Sequence, residues 1–334
     1  MRKKILFYIL SVFILAAISL PEAQAAKNST ESYKQYKARA EKEIRNILIK
    51  QVELSDKKDL EKLQSYYSDD YRNSDAFDKN TTFALVRDNF EIYPDLKISL
   101  KINNVDVNGK YAVADVLEYA KKNGLERDDI DYKGKLRAEA RTLYFLENIN
   151  GKWLITAEQS IYENNSVTFG EAEYADVKLI TPIIVPAGSQ YNAELKINNL
   201  PQSALVMGSI SKSDAVYPIP QEEDDPDSYR VFEETSLERL FTANKDNIDE
   251  YISGTLGITR SKPLPNGDFK LYMSGVAFVM AKVNVIPENT KYIPEKNIVT
   301  VVNKQIKKEE KSQIEPDDIL PNDDFVKESE KIDD

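Results

Sequence analysis

The side chains available for chemistry set the first limit on what this chain can do. The 334-residue sequence contains no His and no Cys. It therefore lacks Ser-His-Asp and Cys-His catalysis, imidazole and thiolate metal sites, disulfides and cysteine lipidation. Carboxylates, lysines and tyrosines remain for acid–base chemistry, and Tyr is abundant, with 19 residues. Any active site must be built from these residue types.

Two acidic stretches resemble cation-binding loops, and we predict that neither stretch binds a cation. Residues 129–134 begin like an EF-hand loop, but Lys133 occupies the fifth position and Ala140 stands where the bidentate Glu belongs. Five carboxylates lie between Glu222 and Asp227, and like-charge runs of this kind are typical of solvated loops. No phosphate-cradling glycine loop occurs among the scattered glycines. We therefore predict neither a metal nor a cofactor.

The charge balance excludes one class of partner. The net charge of −11 disfavours sequence-independent binding to nucleic acid phosphates. For the same reason it disfavours binding to an anionic membrane surface. We therefore predict no nucleic acid partner.

Residues 1–25 have the pattern of a secretory signal peptide. A positive start (Arg2, Lys3, Lys4) precedes an apolar run over residues 5–20, and Ala23-Gln24-Ala25 matches the small-x-small cleavage pattern. The alternative is an uncleaved anchor, but the apolar run falls short of the ~20 residues that a spanning helix needs. We expect cleavage near Ala25, no stable membrane anchor afterwards, and an extracytoplasmic location, either periplasmic or secreted.

Residues 31–165 are predicted to position any site. Apolar residues at three- and four-residue spacing predict a helix over 31–54, a short helix ending near Tyr67 and a third ending near Tyr93. The pattern then alternates. Asn108-Gly109 predicts a hairpin whose second strand is Tyr111–Tyr119, and residues 120–134 are predicted to be a connecting loop. A second hairpin is predicted over Leu136–Tyr162. Its two inner faces are predicted to be Leu136, Ala138, Ala140, Thr142, Tyr144 and Leu146, and Trp153, Ile155 and Ala157.

This element order, with the final strand beginning Gly151-Lys152-Trp153, resembles the NTF2-like (SnoaL/ketosteroid-isomerase-type) superfamily over about residues 31–165. The resemblance implies an α+β cone in which three helices pack on a curved sheet. Enzymes, binding modules and structural subunits all use that fold, so it does not select a function.

Residues 172–302 read as a second, mainly β domain. Short strand-like runs are separated by Pro- and Gly-containing breaks, which favours a β-sandwich. The stretch from Ile180 to Ile197 resembles immunoglobulin-like (Ig-like) modules of bacterial surface proteins, over about residues 172–290. A helical insertion is predicted over Glu233–Tyr251. The predicted fold class is therefore α+β, an NTF2-like cone followed by an Ig-like domain, with a disordered acidic tail at 303–334.

The ketosteroid-isomerase resemblance implies a carboxylate base and a tyrosine oxyanion donor inside the cone. Asp115 and Glu118 lie on opposite faces of the strand at 111–119, so at most one of them points inward. If Tyr111, Val113 and Leu117 face inward, Asp115 shares their face and is the candidate base. The candidate donors are Tyr66, Tyr67 and Tyr144. The alternative is that these tyrosines are core and rim residues and that Asp115 is solvated or paired.

No catalytic motif selects among these possibilities. The sequence favours a non-catalytic binding or scaffold protein of the bacterial envelope, acting on an envelope protein or a small apolar ligand. One alternative is an isomerase- or cyclase-type enzyme that uses a carboxylate and Tyr. Another is a structural subunit that forms a homodimer through its sheet.

Overall fold

The computed structural model describes residues 32–128, 130–198, 203–217, 228–232 and 235–300. Within these ranges the helices are α1 (Tyr33–Asp56), α2 (Leu60–Gln64) and α3 (Lys79–Ile92), with one turn of 3-10 helix at Glu171–Glu173. The strands are β1 (Tyr67–Asn73), β2 (Lys97–Asn108), β3 (Tyr111–Arg127), β4 (Ile130–Ile149), β5 (Lys152–Gly170), β6 (Val177–Pro182), β7 (Ile184–Pro186), β8 (Gln190–Ile197), β9 (Leu205–Asp214), β10 (Arg230–Val231), β11 (Ser236–Thr242), β12 (Glu250–Pro263), β13 (Phe269–Ile286) and β14 (Lys296–Thr300).

Two predicted segments lie outside these ranges, namely the signal peptide at 1–25 and the acidic tail at 303–334. Among the described helices, none is both long and apolar enough to cross a membrane.

The three helices form where the residue spacing predicts them. Ser32 caps α1 with a capping box, in which its hydroxyl accepts from the backbone of Gln35 and the Gln35 side chain accepts from the backbone of Ser32. The buried stripe of α1 then recurs at about every fourth residue, at Ala40, Ile44 and Leu48. The carboxylates of Asp59 and Asp78 cap α2 and α3 more simply, each accepting one backbone N–H, from Lys62 and Thr81.

Both predicted hairpins are present because their turn residues adopt positive φ. Gly109 (φ 59°) connects β2 to β3, and Asn150 and Gly151 (φ 52° and 85°) connect β4 to β5. The predicted inner face of β4 is confirmed, since Leu136 through Leu146 are buried at every second position. The predicted loop at 120–134 is wrong. β3 and β4 stay paired to Arg127 and Ile130, and register shifts at Gly124 accommodate the chain.

The predicted fold class is wrong. Strands hold 59% of the described residues, and the helices do not form the predicted cone on a self-contained sheet. Instead, a ten-stranded sheet has the order β10-β9-β12-β13-β5-β4-β3-β2, with β1 and β7 attached to β5 and β13. The joining contact is the antiparallel pairing of β13 with β5, from Gly275 opposite Gly170 to Ala281 opposite Asn164. This pairing continues the hairpin sheet into strands from the second half of the chain.

The predicted resemblance to an Ig-like module is not shown by the structure. A four-stranded sheet in the order β11-β8-β6-β14 packs against the far part of the large sheet, and their facing side chains share one apolar core. The helix predicted over 233–251 is also wrong. Leu237 and Phe241 are buried while Leu240 is 57% exposed, which is the two-residue alternation of strand β11. Their spacing fits a helical face equally well, so the sequence pattern alone was ambiguous.

Candidate functional site

A cavity of about 100 Å³ lies between the three helices and the inner face of β2–β4. The polar residues of its lining are Gln51, Ser55, Tyr67, Thr82, Asn89, Glu118, Tyr119, Glu139 and Tyr144. The described residues that line it include no Lys and no Arg. The apolar walls are formed by Val52, Leu63, Phe83, Val86, Phe90, Leu96, Ile98, Leu100, Ala120, Ala138 and Ala140. The space is smaller than the roughly 300–1,000 Å³ of pockets for drug-sized ligands and is of the order of a cavity that holds one small ring.

Glu118 is the cavity-lining carboxylate on the inward face of the sheet, whereas Glu139 also lines the cavity but is exposed. Glu118 follows Ala112, Ala114 and Val116 on the inward face of β3. One carboxylate oxygen accepts a hydrogen bond from the Tyr144 hydroxyl at 2.6 Å, and the other accepts from the Thr142 hydroxyl at 2.8 Å. Burial raises the pKa of Glu118 above its ordinary value, and the two hydroxyls offset part of that rise. Glu118 is therefore a partly desolvated acid that stays in contact with the cavity.

A second carboxyl, Glu158, lies directly opposite Tyr144 on β5 and is fully buried. Its position depends on a β-bulge. Phe145 pairs with Ala157 but Leu146 pairs with Ile155, so one extra residue shifts the alternation of β5. The predicted inner face of Trp153, Ile155 and Ala157 is therefore wrong at its last member, and Glu158 points inward instead.

Glu158 is held as a neutral acid by its surroundings. Burial, followed by the negative charge of Glu118, raises its pKa to about 8. The Tyr67 and Tyr71 hydroxyls lie beside Glu158 and offset part of that rise, although neither carboxyl oxygen meets the full distance and angle requirements of a hydrogen bond among the described residues. A charged carboxylate without partners would be costly in this position, so the protonated form is favoured at neutral pH.

Tyr67 and Tyr144 complete the lining of the cavity. The Tyr67 hydroxyl donates to Gln51 Oε1 at 3.1 Å, while Gln51 Nε2 has no acceptor among the described residues. The Tyr67 ring stands edge-on to Tyr71 and to Phe83, with centroids 5.0 and 4.9 Å away. Burial raises the pKa values of Tyr67 and Tyr144 well above the ordinary value, so both remain neutral.

The structure separates the predicted site residues into two groups. Tyr67 and Tyr144 lie together at the cavity. Asp115 does not, because it points to the outer face of β3 and accepts two hydrogen bonds from Arg141, at 3.0 and 2.8 Å. The Arg141 guanidinium lowers the pKa of Asp115. Tyr66 is half-buried beside Lys152, away from the cavity lining.

The condition under which Asp115 would be the base, with Tyr111 and Val113 facing inward, is not met, and Glu118 is the one of the two carboxylates that points inward. The partner strand carried a usable signal. Residues directly opposite in an antiparallel pair share a face, and the inner face of β4 was correctly predicted, so pairing Ala114 with Tyr144 also turns Glu118 inward. Glu158 had no such signal, because the bulge that turns it inward is not marked by Gly or Pro.

The described residues include no group of three or more Asp or Glu side chains arranged to hold a metal ion. The acidic run at 222–227 and Asp129 lie outside the described ranges.

Comparison with known proteins gives structural neighbours but no family. No protein-family model matches the chain, and no curated protein matches it. Bd1075 from Bdellovibrio bacteriovorus matches 39% of this chain at 12% identity with a TM-score of 0.31, and this chain spans only 42% of that protein.

Two smaller proteins of unknown function match similar shares of the chain. A cystatin-like protein from Nostoc punctiforme matches 35% of this chain and 86% of its own at 17% identity, with a TM-score of 0.28. An NTF2-like protein from Shewanella oneidensis matches 36% of this chain and 96% of its own at 20% identity, with a TM-score of 0.27. At this level of similarity the neighbours carry no conclusion about the fold or activity of this chain.

Proposed function

We propose that this protein binds a small, neutral, mainly apolar molecule in the cavity between the helices and β2–β4. The observation that carries the proposal is an apolar-walled cavity that contains a few converging polar groups, which is the usual form of a small-molecule site. Gln51 Nε2 has no acceptor in the described structure, and Glu118 retains accepting capacity beyond its two hydroxyl partners.

The charge of the lining selects the class of ligand. Glu118 and Glu139 are the charged residues among the lining side chains, and no cation accompanies them. An anionic ligand would meet like charge in a poorly solvated space, which is unfavourable. A molecule with a hydroxyl group and one small ring matches both the charge and the volume.

The test is a thermal-shift titration of the full chain with benzyl alcohol and, in parallel, with benzoate. A ligand that binds only the folded state raises Tm in proportion to its saturation. We expect benzyl alcohol to raise Tm and benzoate to leave it unchanged. Equal stabilisation by both compounds would contradict the proposal.

Variants locate the binding. Glu118→Gln should weaken binding about tenfold or more, because hydrogen bonds to charged groups contribute about 1.5–3 kcal/mol. Ala138→Leu should abolish binding by filling the cavity. Asp115→Asn is the matched control, since it makes the same charge change on the outer face of the same strand. Binding that survives Ala138→Leu in a folded variant would place the ligand elsewhere.

Acid–base chemistry on a bound ligand is a second candidate, and one contact favours it. The partly desolvated Glu118 carboxylate can accept a proton from a ligand carbon, and the neutral Tyr144 hydroxyl, which donates to Glu118 at 2.6 Å, would turn its one proton to the ligand oxygen to stabilise the developing charge. The readout is deuterium uptake by cyclohexanone in D₂O, followed by NMR. Uptake that depends on Glu118 but not on Asp115 would support catalysis, and uptake equal to the buffer rate would exclude it for this probe. An envelope-protein partner and a sheet-mediated homodimer stay predictions, because a single chain tests neither.

A further inference from the structure

A second buried cluster lies outside the cavity and centres on Lys282 of β13. Its Nζ is 2.8 Å from Asp75 Oδ1, 3.0 Å from Asp249 Oδ2 and 3.9 Å from Glu163 Oε1. The four side chains are between 0% and 9% exposed. The binding site proposed above uses none of these residues.

Each member is held in place by its own structural element. Asp75 lies in the turn between β1 and α3, which is closed by backbone hydrogen bonds from Ala76 to Asn73 and from Asn73 to Phe77. Asp249 immediately precedes β12, and its Oδ1 accepts the backbone N–H of Val285 at 2.9 Å.

Glu163 follows the second bulge of β5, and its Oε2 accepts from the Tyr251 hydroxyl at 3.2 Å. Lys282 and Asp75 are 207 positions apart in the chain, so only the tertiary fold brings them together.

The charge count of the cluster is unbalanced. One ammonium group faces three carboxyl groups in a space closed to solvent, and a buried charge that lacks a full complement of partners is costly. Burial raises the pKa of Asp75 well above its ordinary value, and the neighbouring Asp249 and Glu163 charges raise it further against the opposing effect of Lys282. Asp75 is thus the carboxyl that takes up the extra proton.

This arrangement places a nucleophile, the amine of Lys282, next to an electrophile, the carboxyl group of Asp75. A protonated carboxyl group has a carbonyl carbon open to attack, and a lysine amine at contact distance in a rigid, dry site has the proximity that replaces a bimolecular encounter. The charges of Asp75, Asp249 and Glu163 outweigh burial and raise the pKa of Lys282, so the amine becomes a nucleophile only by passing a proton to a base. Asp249 Oδ2 lies within hydrogen-bond distance of Nζ and is that base.

We propose that Lys282 and Asp75 join in an intramolecular isopeptide bond, with Asp249 as the proton relay. The Lys282 ammonium first gives a proton to the Asp249 carboxylate. The neutral amine then attacks Asp75 Cγ, forming the C–N bond, and the tetrahedral centre loses its second N–H proton as the Cγ–OH bond breaks. The hydroxyl leaves as water, and the products are one amide, one water and one protonated carboxyl. The step needs no oxidant and no co-reactant.

The chain supplies an internal control in Lys212. It is 3.1 Å from the fully buried Glu250 and is itself only 14% exposed. Among the described residues, Glu250 is the one carboxylate within ion-pair distance of Lys212. Lys212 therefore has a buried carboxylate but no separate base, and it should remain a free amine.

The experiment is a tryptic digest of the purified, denatured full chain, analysed by mass spectrometry. Acylated Lys282 resists trypsin, so the expected product is a branched peptide that joins residues 73–79 to residues 271–291, lighter than their sum by one water. Fragmentation must place the branch on Asp75 and not on Asp78. Peptides that end at an unmodified Lys212 provide the control within the same digest.

The digest distinguishes a free peptide of residues 73–79 from a branched one. Recovery of residues 73–79 as a free peptide, with cleavage after Lys282, would overturn the proposal, whatever any variant does. If the branch is found, Asp249→Asn tests the relay, because the amide oxygen can still accept from Val285. We expect the folded variant, verified by circular dichroism, to carry no branch. A branch that persists would refute the role of Asp249.

Discussion

The buried carboxyl of Glu158 should make the stability of the protein fall with rising pH, and Glu158→Gln should remove that dependence. The pKa of Glu158 rises from 4.5 to about 8 on folding. Between these values the unfolded chain releases the proton while the folded protein keeps it. Because the unfolded state then binds fewer protons, the free energy of unfolding decreases as pH rises. The contribution is complete below the unfolded pKa and is lost by the time the pH passes the folded pKa.

The magnitude follows from the shift itself. Each pH unit in this window costs about 1.4 kcal/mol, so the wild type should lose about 2.5 kcal/mol between pH 5 and pH 7 relative to the variant. Gln is neutral throughout and keeps the shape of a protonated Glu, so the variant should lack this slope. The full shift applies because Glu158 is completely buried.

The assay is urea unfolding of the wild type and Glu158→Gln at half-unit steps from pH 5 to pH 7.5. The matched control is Glu126→Gln, which removes a carboxylate whose side chain is 76% exposed. The difference between wild type and Glu158→Gln should widen steadily with pH, whereas the control should run parallel to the wild type. Parallel curves for Glu158→Gln would refute the assignment of Glu158 as a neutral buried acid.

Three further substitutions test the packing and the outer face of the sheet. Asp115→Asn should cost at most about 1 kcal/mol in urea unfolding, because its Arg141 partner is 43% exposed and such ion pairs are weak; a larger loss would show a structural role that the geometry does not provide. Gly134→Ala should lower Tm measurably, because an added Cβ would sit 2.4–2.8 Å from the buried Phe169 ring; an unchanged Tm would contradict the close packing of β4 on β5. Phe269→Ser should change the free energy of unfolding by no more than about 0.5 kcal/mol, since this side chain is 68% exposed; a loss of core-like size would mean that it is covered.

Local features of the sequence determined the local elements. Ser32 and Asp78 cap helices because their short side chains satisfy the first free backbone N–H groups, whatever the rest of the chain does. Asn150-Gly151 closes a hairpin because both residues tolerate positive φ. The three helices and the two hairpins follow from such interactions over a few positions.

The composition also determined the possible chemistry. Without His or Cys, a site has no imidazole or thiol, and the cavity and the Lys282 cluster are built from carboxyl, hydroxyl, amide and amine groups.

The tertiary structure alone decided which residues share a site. The two faces of β3 both alternate acceptably, so the periodicity of that strand by itself could not choose between Asp115 and Glu118, and its register with β4 made the choice. A bulge in β5 turned Glu158 inward, and the pairing of β13 with β5 merged strands expected in separate domains. Contacts such as Lys282 to Asp75 join positions 207 residues apart. They depend on strand order and register, which are set by packing over the whole sheet and leave no mark on any short stretch of sequence.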